Sequence, residues 1–459
     1  MIVASIQDLV PELLERCHHF TLRHGPIGGS VGIVRGDDLV WRHEFGWAES
    51  ATRRATDTST LYRVASITKT FTAAAVMRLR DEGRLDLDDP LVDHCPELNA
   101  AGRGVAPIER VTLRALLSHE SGLLGDPPGT DWSRGIESST FAEILARVGE
   151  IAVVAAPFAA SKYSNLGFLL LGEVVARASG LTYVDYVNRN LLEPLGMSSS
   201  GWEPLPSEMK ARLAVGHQAR SFADHPAVAQ DNPPVWADGG LVTSVGDLAR
   251  WLSLQLSAHR PSVEGDLPVD RATLRSMHAP RYLSDSLWRK AYGIGWYSLR
   301  RGESIWVGHG GSLHGFTSYV GFHPGSQLGV IVLLNGEAAP TDLALDLGEF
   351  ARTHLPTPKP ETLAPTGVPL AYAALLGLYT DQTQAEFTRV EWSRGALVAL
   401  VGEERLTLLP TDTTDEFRFG NGRPAGESAR FARGHDGRVV ALIAGPQTLW
   451  RFDRVDTET

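Results

Sequence analysis

Strand patterns stand at both ends of a long first region, and the chain between them reads as helical. Ser30 to Val34 and Leu39 to Phe45 alternate as strands around the turn Gly36-Asp37-Asp38, which predicts a β-hairpin. Strand patterns return only at Gly293 to Leu299, Ile305 to Gly308, Phe316 to Phe322 and Leu328 to Asn335. From about residue 83 to residue 255 the spacing is helical. Thr140 with Glu143 forms a capping box, Leu166 to Ala178 is an apolar helix closed by Gly180, and Tyr183 to Leu192 is amphipathic. A first helix is expected from Ile6 to Phe20 with Ser5 as N-cap, and a last one from Leu343 to His354. Such an order predicts an α+β protein. Strands from both ends of the region make one antiparallel sheet, flanked by helices and interrupted by a helical insertion.

Pro356, Pro358, Pro360, Pro365 and Pro369 then crowd together and mark a linker. Beyond them, short strand patterns at 387–392, 397–401, 405–409, 416–419, 429–431, 439–443 and 448–452 alternate with turns, which predicts a small all-β domain, a barrel or a sandwich. The expected division is a first domain over 1–355, a linker over 356–370 and the β domain over 371–459.

Within the first domain, Ser66 and Lys69 open the apolar run Ala65 to Met77. On a helix these two residues share a face, and a hydroxyl beside an amine among alanines suits a nucleophile and its base. Lysine is scarce, confined to Lys69, Lys162, Lys210, Lys290 and Lys359, while arginine supplies most of the positive charge. An amine can lose its proton and a guanidinium cannot, so a lysine placed among alanines suits proton transfer. A second Ser-x-x-Lys, Ser207 with Lys210, lies in a charged segment where the amine keeps its proton.

Tyr163-Ser164-Asn165 precedes the apolar helix at Leu166, where a phenol and an amide two apart can both face a cleft. His309-Gly310-Gly311-Ser312 follows the strand at 305–308. Glycines there let a substrate approach the backbone. Tyr186 with Asn188, His323-Pro324-Gly325 and His435-Asp436-Gly437 mimic these motifs inside a helix or at hairpin turns. Gly28-Gly29-Ser30-Val31-Gly32 mimics a nucleophile elbow, but a helix precedes it and a strand follows, the reverse of what an elbow needs.

Composition narrows the class further. The net charge of −11 argues against a nucleic-acid surface, and no apolar run reaches a membrane span. Cys17 and Cys95 are too few for a disulfide framework and read as buried thiols. The first residues lack a basic stretch followed by an apolar one, so the expected compartment is the cytoplasm.

Taken in order, Ser66-x-x-Lys69, Tyr163-x-Asn165 and His309-x-Gly311 resemble the three motifs of serine hydrolases related to class C β-lactamases and DD-peptidases. The stretches 111–123, 192–197, 239–249 and 308–311 resemble that family as well, and the likeness covers roughly residues 5–354. The resemblance implies a β-lactamase/transpeptidase-like fold and an acyl-enzyme on Ser66. Lys69 and Tyr163 then share proton transfer, either of them as base, and Asn165, His309 and Gly311 bind substrate. The oxyanion sits between the backbone N–H groups of Ser66 and Ser312. No metal or organic cofactor is implied. The partner is a small ester, peptide or β-lactam, and the oligomeric state is not legible.

The third motif departs from the β-lactamases proper, which typically carry a lysine where this chain has His309. Histidine is mostly neutral at pH 7, and members of that family with histidine here include D-aminopeptidases and many esterases, so the resemblance implies a carboxylesterase or D-amino-acid-type peptidase. A weak β-lactamase is the second reading and a non-catalytic acyl-binding or scaffold protein the third.

Overall fold

A computed structural model describes residues 5–25, 28–130, 140–218, 225–226, 236–260, 266–284, 287, 289–313, 315–356, 368–381, 387–393, 395–402 and 404–451. Two compact units divide between Lys359 and Pro360. Most of the proline-rich stretch expected as a linker lies outside the described residues, only 356 and 368–370 being within them.

The first unit is built on a nine-stranded antiparallel sheet. Its strands in chain order are β1 (Gly28–Arg35), β2 (Asp38–Glu49), β3 (Arg54–Ala55), β4 (Tyr282–Leu283), β5 (Lys290–Tyr292), β6 (Tyr297–Arg301), β7 (Ser304–Leu313), β8 (Phe316–His323) and β9 (Leu328–Leu334). Their spatial order is β3-β2-β1-β9-β8-β7-β6-β5-β4, so β1 pairs with β9 and joins the two ends of the region. Strand β9 is central, and all seven of its residues are buried. Alternate residues therefore serve opposite faces. Val330, Val332 and Leu334 meet helix α1 (Ile6–His24), through Leu9, Leu13 and Cys17, and helix α5 (Pro340–His354), through Leu343 and Leu347. Ile331 and Leu333 face the larger core on the other side.

That larger core contains α2 (Thr68–Asp81), α3 (Asn165–Ser179) and α4 (Val245–Ser257). Helix α2 is buried on almost every side, from Thr68 to Met77 and at Leu79. Phe71 stacks on Trp251 of α4 at 4.0 Å, and the Trp251 indole donates to Thr70 Oγ1 at 3.0 Å. A helix so enclosed has no water to solvate a charged side chain, so Lys69 must find its partners inside the protein.

Two strand expectations change. Gly293 to Leu299 is not one strand: the chain turns at Gly293–Trp296, with Gly293 N–H donating to Trp296 O at 2.8 Å, and β6 begins only at Tyr297. Gly295 takes φ +68° in that turn and lies against Ala73 and Lys69 O of α2. The strand expected at 305–308 runs on through Leu313, so the motif at His309 lies within β7 rather than after a strand.

The second unit is a closed eight-stranded barrel, β10 (Gly377–Thr380), β11 (Phe387–Ser393), β12 (Ala396–Val401), β13 (Glu404–Pro410), β14 (Glu416–Phe419), β15 (Ser428–Arg433), β16 (Val439–Ala444) and β17 (Gln447–Arg451). Tyr379 opposite Arg451 closes it. Leu397 with Ala399, Leu406 with Leu408 and Phe417 with Phe419, each two apart, fill its interior. Closure decides for a barrel over a sandwich. Strand β10 is not among the strands expected from the sequence.

Candidate active site

Ser66 lies in a short 3-10 turn, Ala65–Ile67, that runs straight into α2. Ala65 has φ +48°, a left-handed conformation costly for a residue with a Cβ. That turn sets Ser66 at the N-terminal end of α2, where free N–H groups and the helix dipole favour developing negative charge.

Lys69 is fully buried one turn further on. Its Nζ is 3.0 Å from Ser66 Oγ, 2.8 Å from Asn165 Oδ1 and 2.7 Å from Asp238 O. Asn165 is the first residue of α3, and Ser164 caps that helix, its Oγ accepting from Gly167 N–H at 2.9 Å. The Asn165 amide is fixed from behind, Nδ2 donating to Asp126 Oδ1 at 2.7 Å. Burial pushes Lys69 below the ordinary lysine value, against the opposing charges of Asp238 and Asp126. A neutral amine has two N–H groups and one lone pair. The carbonyl oxygens of Asn165 and Asp238 take the two N–H groups, which leaves the lone pair to face the Ser66 hydroxyl.

The Tyr163 ring lies 5.1 Å from Lys69 Nζ. One side of that ring is stacked on His119 at 4.1 Å, and its edge leaves the residue 36% exposed. Surrounding protein desolvates the hydroxyl and pushes its pKa above the usual phenol value. The His119 ring is held in turn by Ser164 N–H, which donates to Nδ1 at 3.1 Å.

Strand β7 supplies the opposite wall. His309 is buried, its ring 6.5 Å from the Tyr163 ring and 5.2 Å from the Tyr297 ring. Its Nδ1 is 2.7 Å from Gly310 O, a contact only an N–H can make favourably. Burial, with the nearby Lys69 charge, drives its pKa down to about 3, so the imidazole is neutral. Gly311 lies against Val64 O, just before the Ala65–Ile67 turn, and a Cβ there would collide with that carbonyl and with Ser318 Oγ. Ser318 Oγ donates to Val64 O at 2.9 Å, tying β8 to the same point. Strand β6 pairs with β7 only as far as Gly308, so from His309 to Leu313 one edge of β7 carries no partner strand. Ser312 is exposed on that open edge.

The structure thus brings Ser66, Lys69, Tyr163, Asn165, His309 and Gly311 together. The competing Ser207 and Lys210 are exposed on a short helix, Ser207–Arg212. No group of side chains that could hold a metal occurs among the described residues. Sequence reasoning gave no role to His119, Asp126, Asp238, Tyr292 or Tyr297. Of these, only His119 lies within one of the stretches that resemble the serine hydrolase family, 111–123.

The Beta-lactamase family description matches residues 6–351. Penicillin-binding protein 4 of Amycolatopsis lactamdurans is 30% identical over 380 residues, 80% of this chain and 96% of that protein. Protein flp of Staphylococcus aureus is 25% identical over 343 residues, 73% of this chain, and the chain spans 64% of its length. Among solved structures, the octameric penicillin-binding protein homologue from Pyrococcus abyssi superposes with a TM-score of 0.63 at 25% identity, covering 96% of this chain and 99% of that one. A class C β-lactamase superposes with a TM-score of 0.65 at 20% identity, over 77% of this chain and 99% of that one, a likeness of fold. The chain belongs to the Beta-lactamase family, the serine hydrolases of the β-lactamase and penicillin-binding kind. No single helix among the described residues is long and apolar enough to cross a membrane.

Gly311→Ala should push β7 away from the Ala65–Ile67 turn. The rate of covalent labelling of Ser66 is expected to fall by about 100-fold with the far-UV circular dichroism unchanged.

Proposed function

We propose that this chain is a serine hydrolase that cleaves an ester, or an amide of the D-amino-acid peptide type, through an acyl-enzyme on Ser66. The observation that carries this reading is the buried Lys69 amine at 3.0 Å from Ser66 Oγ, with two carbonyl oxygens on its other side. Lys69 accepts the Ser66 proton as the hydroxyl attacks the substrate carbonyl. Tyr163, whose pKa is raised, is a neutral phenol that passes its proton to the leaving group while taking up the one Lys69 accepted, which returns the amine to its free form. Opposite shifts of the two groups therefore favour the lysine over the phenolate as base. The backbone N–H groups of Ser66 and Ser312 receive the oxyanion, each such donor worth roughly 10²–10³ in rate. Asn165 and the open edge of β7 hold the acyl chain. A water molecule, activated by the same amine, then releases the acid.

His309 favours esters and peptides over β-lactams. Its buried imidazole is neutral and offers no charge to the carboxylate that β-lactam antibiotics carry. The octameric assembly named for the Pyrococcus abyssi homologue makes self-association a further property to measure for this chain.

Ser66→Ala should abolish both fluorophosphonate labelling and p-nitrophenyl ester turnover. Labelling that survives in that variant moves the nucleophile elsewhere. Because the neutral amine is the active form, kcat/KM should rise with pH along an acid limb below the ordinary lysine value of about 10.4. The Asp238 carboxylate favours protonated Lys69. Asp238→Asn should therefore move that limb to lower pH, and a limb that stays or moves upward contradicts the assignment of Lys69 as base.

A further inference from the structure

Among the described residues, Lys290 is a cation without a counter-charge. It opens β5, half-buried, and its ammonium lies 4.3 Å from the Tyr297 ring and 5.0 Å from the Tyr292 ring. Among the described residues no carboxylate pairs with it and no acceptor binds its Nζ. Partly buried arginines of the same unit are matched, as Arg42 with Glu44 at 2.6 Å and Arg177 with Glu97 at 2.9 Å. Burial alone lowers the Lys290 pKa, the expected result for an ammonium that has lost water and gained no anion. Two tyrosine faces stabilise it by cation–π attraction, which offsets only part of that loss.

Its position links this unpaired charge to the site. Tyr297 stands opposite Gly308, the last residue of β7 with a partner on that side, and so bounds the open edge that begins at His309. The Tyr297 ring lies 5.2 Å from His309, and the Tyr292 ring 5.3 Å from His119. The Lys290 charge acts on both imidazoles, helping to keep them neutral. The wall of the cleft therefore has neutral histidines where substrate chemistry happens and one ammonium set back behind two tyrosines.

We propose that Lys290 is a specificity-determining residue that binds the carboxylate of an anionic substrate lying along the open edge of β7. This rests on the hydrolase reading above and adds a preference to it: acyl donors with a carboxylate set back from the scissile carbonyl, held by Lys290 rather than by the third motif. The carboxylate replaces the missing counter-charge, and the tyrosine faces keep water from screening the pair.

The test compares p-nitrophenyl hydrogen adipate with p-nitrophenyl hexanoate, matched in length and differing in charge, on the full chain. Active protein is first quantified by fluorophosphonate labelling of Ser66. An inactive nucleophile then shows as absent labelling, whereas a wrong assignment of Lys290 shows as an unchanged preference in labelled protein. In Lys290→Met the ratio of kcat/KM for the anionic over the neutral ester should fall by about tenfold or more, as expected for losing a charged hydrogen bond. Lys290→Arg, which keeps the cation, should restore most of that ratio. A ratio that stays within twofold of the wild type in Lys290→Met, both esters falling together or neither falling, overturns the proposal.

Discussion

The arrangement of this unit turns on one buried amine. Lys69 has no access to water, so each of its contacts must be made by protein, and they come from distant parts of the chain. Ser66 precedes it by one turn, Asn165 begins α3, and Asp238 belongs to a short helix, Trp236–Gly239, far along the insertion. Removing any of these leaves a buried donor or acceptor unmatched, which costs about 1–3 kcal/mol for a neutral group and more for a charged one. The amine is therefore a structural junction between helices as well as the proposed base. Strand β7 reaches the same point from the sheet, because Gly311 lacks the Cβ that would strike Val64 O.

Burial also sorts the ionisable groups by their charge. It pushes the lysine down and the phenol of Tyr163 up, and it keeps both His119 and His309 neutral. All of these shifts favour the uncharged form, the shared consequence of a low-dielectric cleft. The groups around Ser66 can then exchange one proton without creating an isolated charge. The Asp238 carboxyl is raised by the same burial and lowered by Lys69, so amine and acid temper each other.

Much of this was legible in the sequence. Ser66 and Lys69 announced themselves because an amine among alanines is chemically out of place, and Asn165 because its amide stands two residues from a tyrosine just before an apolar helix. The hairpin of β1 and β2 followed from alternation around Gly36. What stayed hidden depended on folding in three dimensions. His119 matters because its ring stacks on Tyr163, forty-odd residues away, and Asp238 through a main-chain carbonyl that any residue type would supply. The turn at Gly293–Trp296 was read as strand because Ile294 and Trp296 are apolar, although Gly293 and Gly295 permit the bend that packing on α2 fixes. Lys290 was visible only as one of five lysines, and its lack of a counter-charge among the described residues is a property of the fold.

The protonation of Lys69 itself is the most direct measure of this account. With only five lysines in the chain, side-chain ¹⁵N-lysine NMR can follow each amine, with Lys69→Arg assigning the resonance. The account predicts that Lys69 titrates below the ordinary lysine value of about 10.4 and that its shift changes when Ser66 is acylated. A Lys69 that titrates at or above that value, indifferent to acylation, would contradict it.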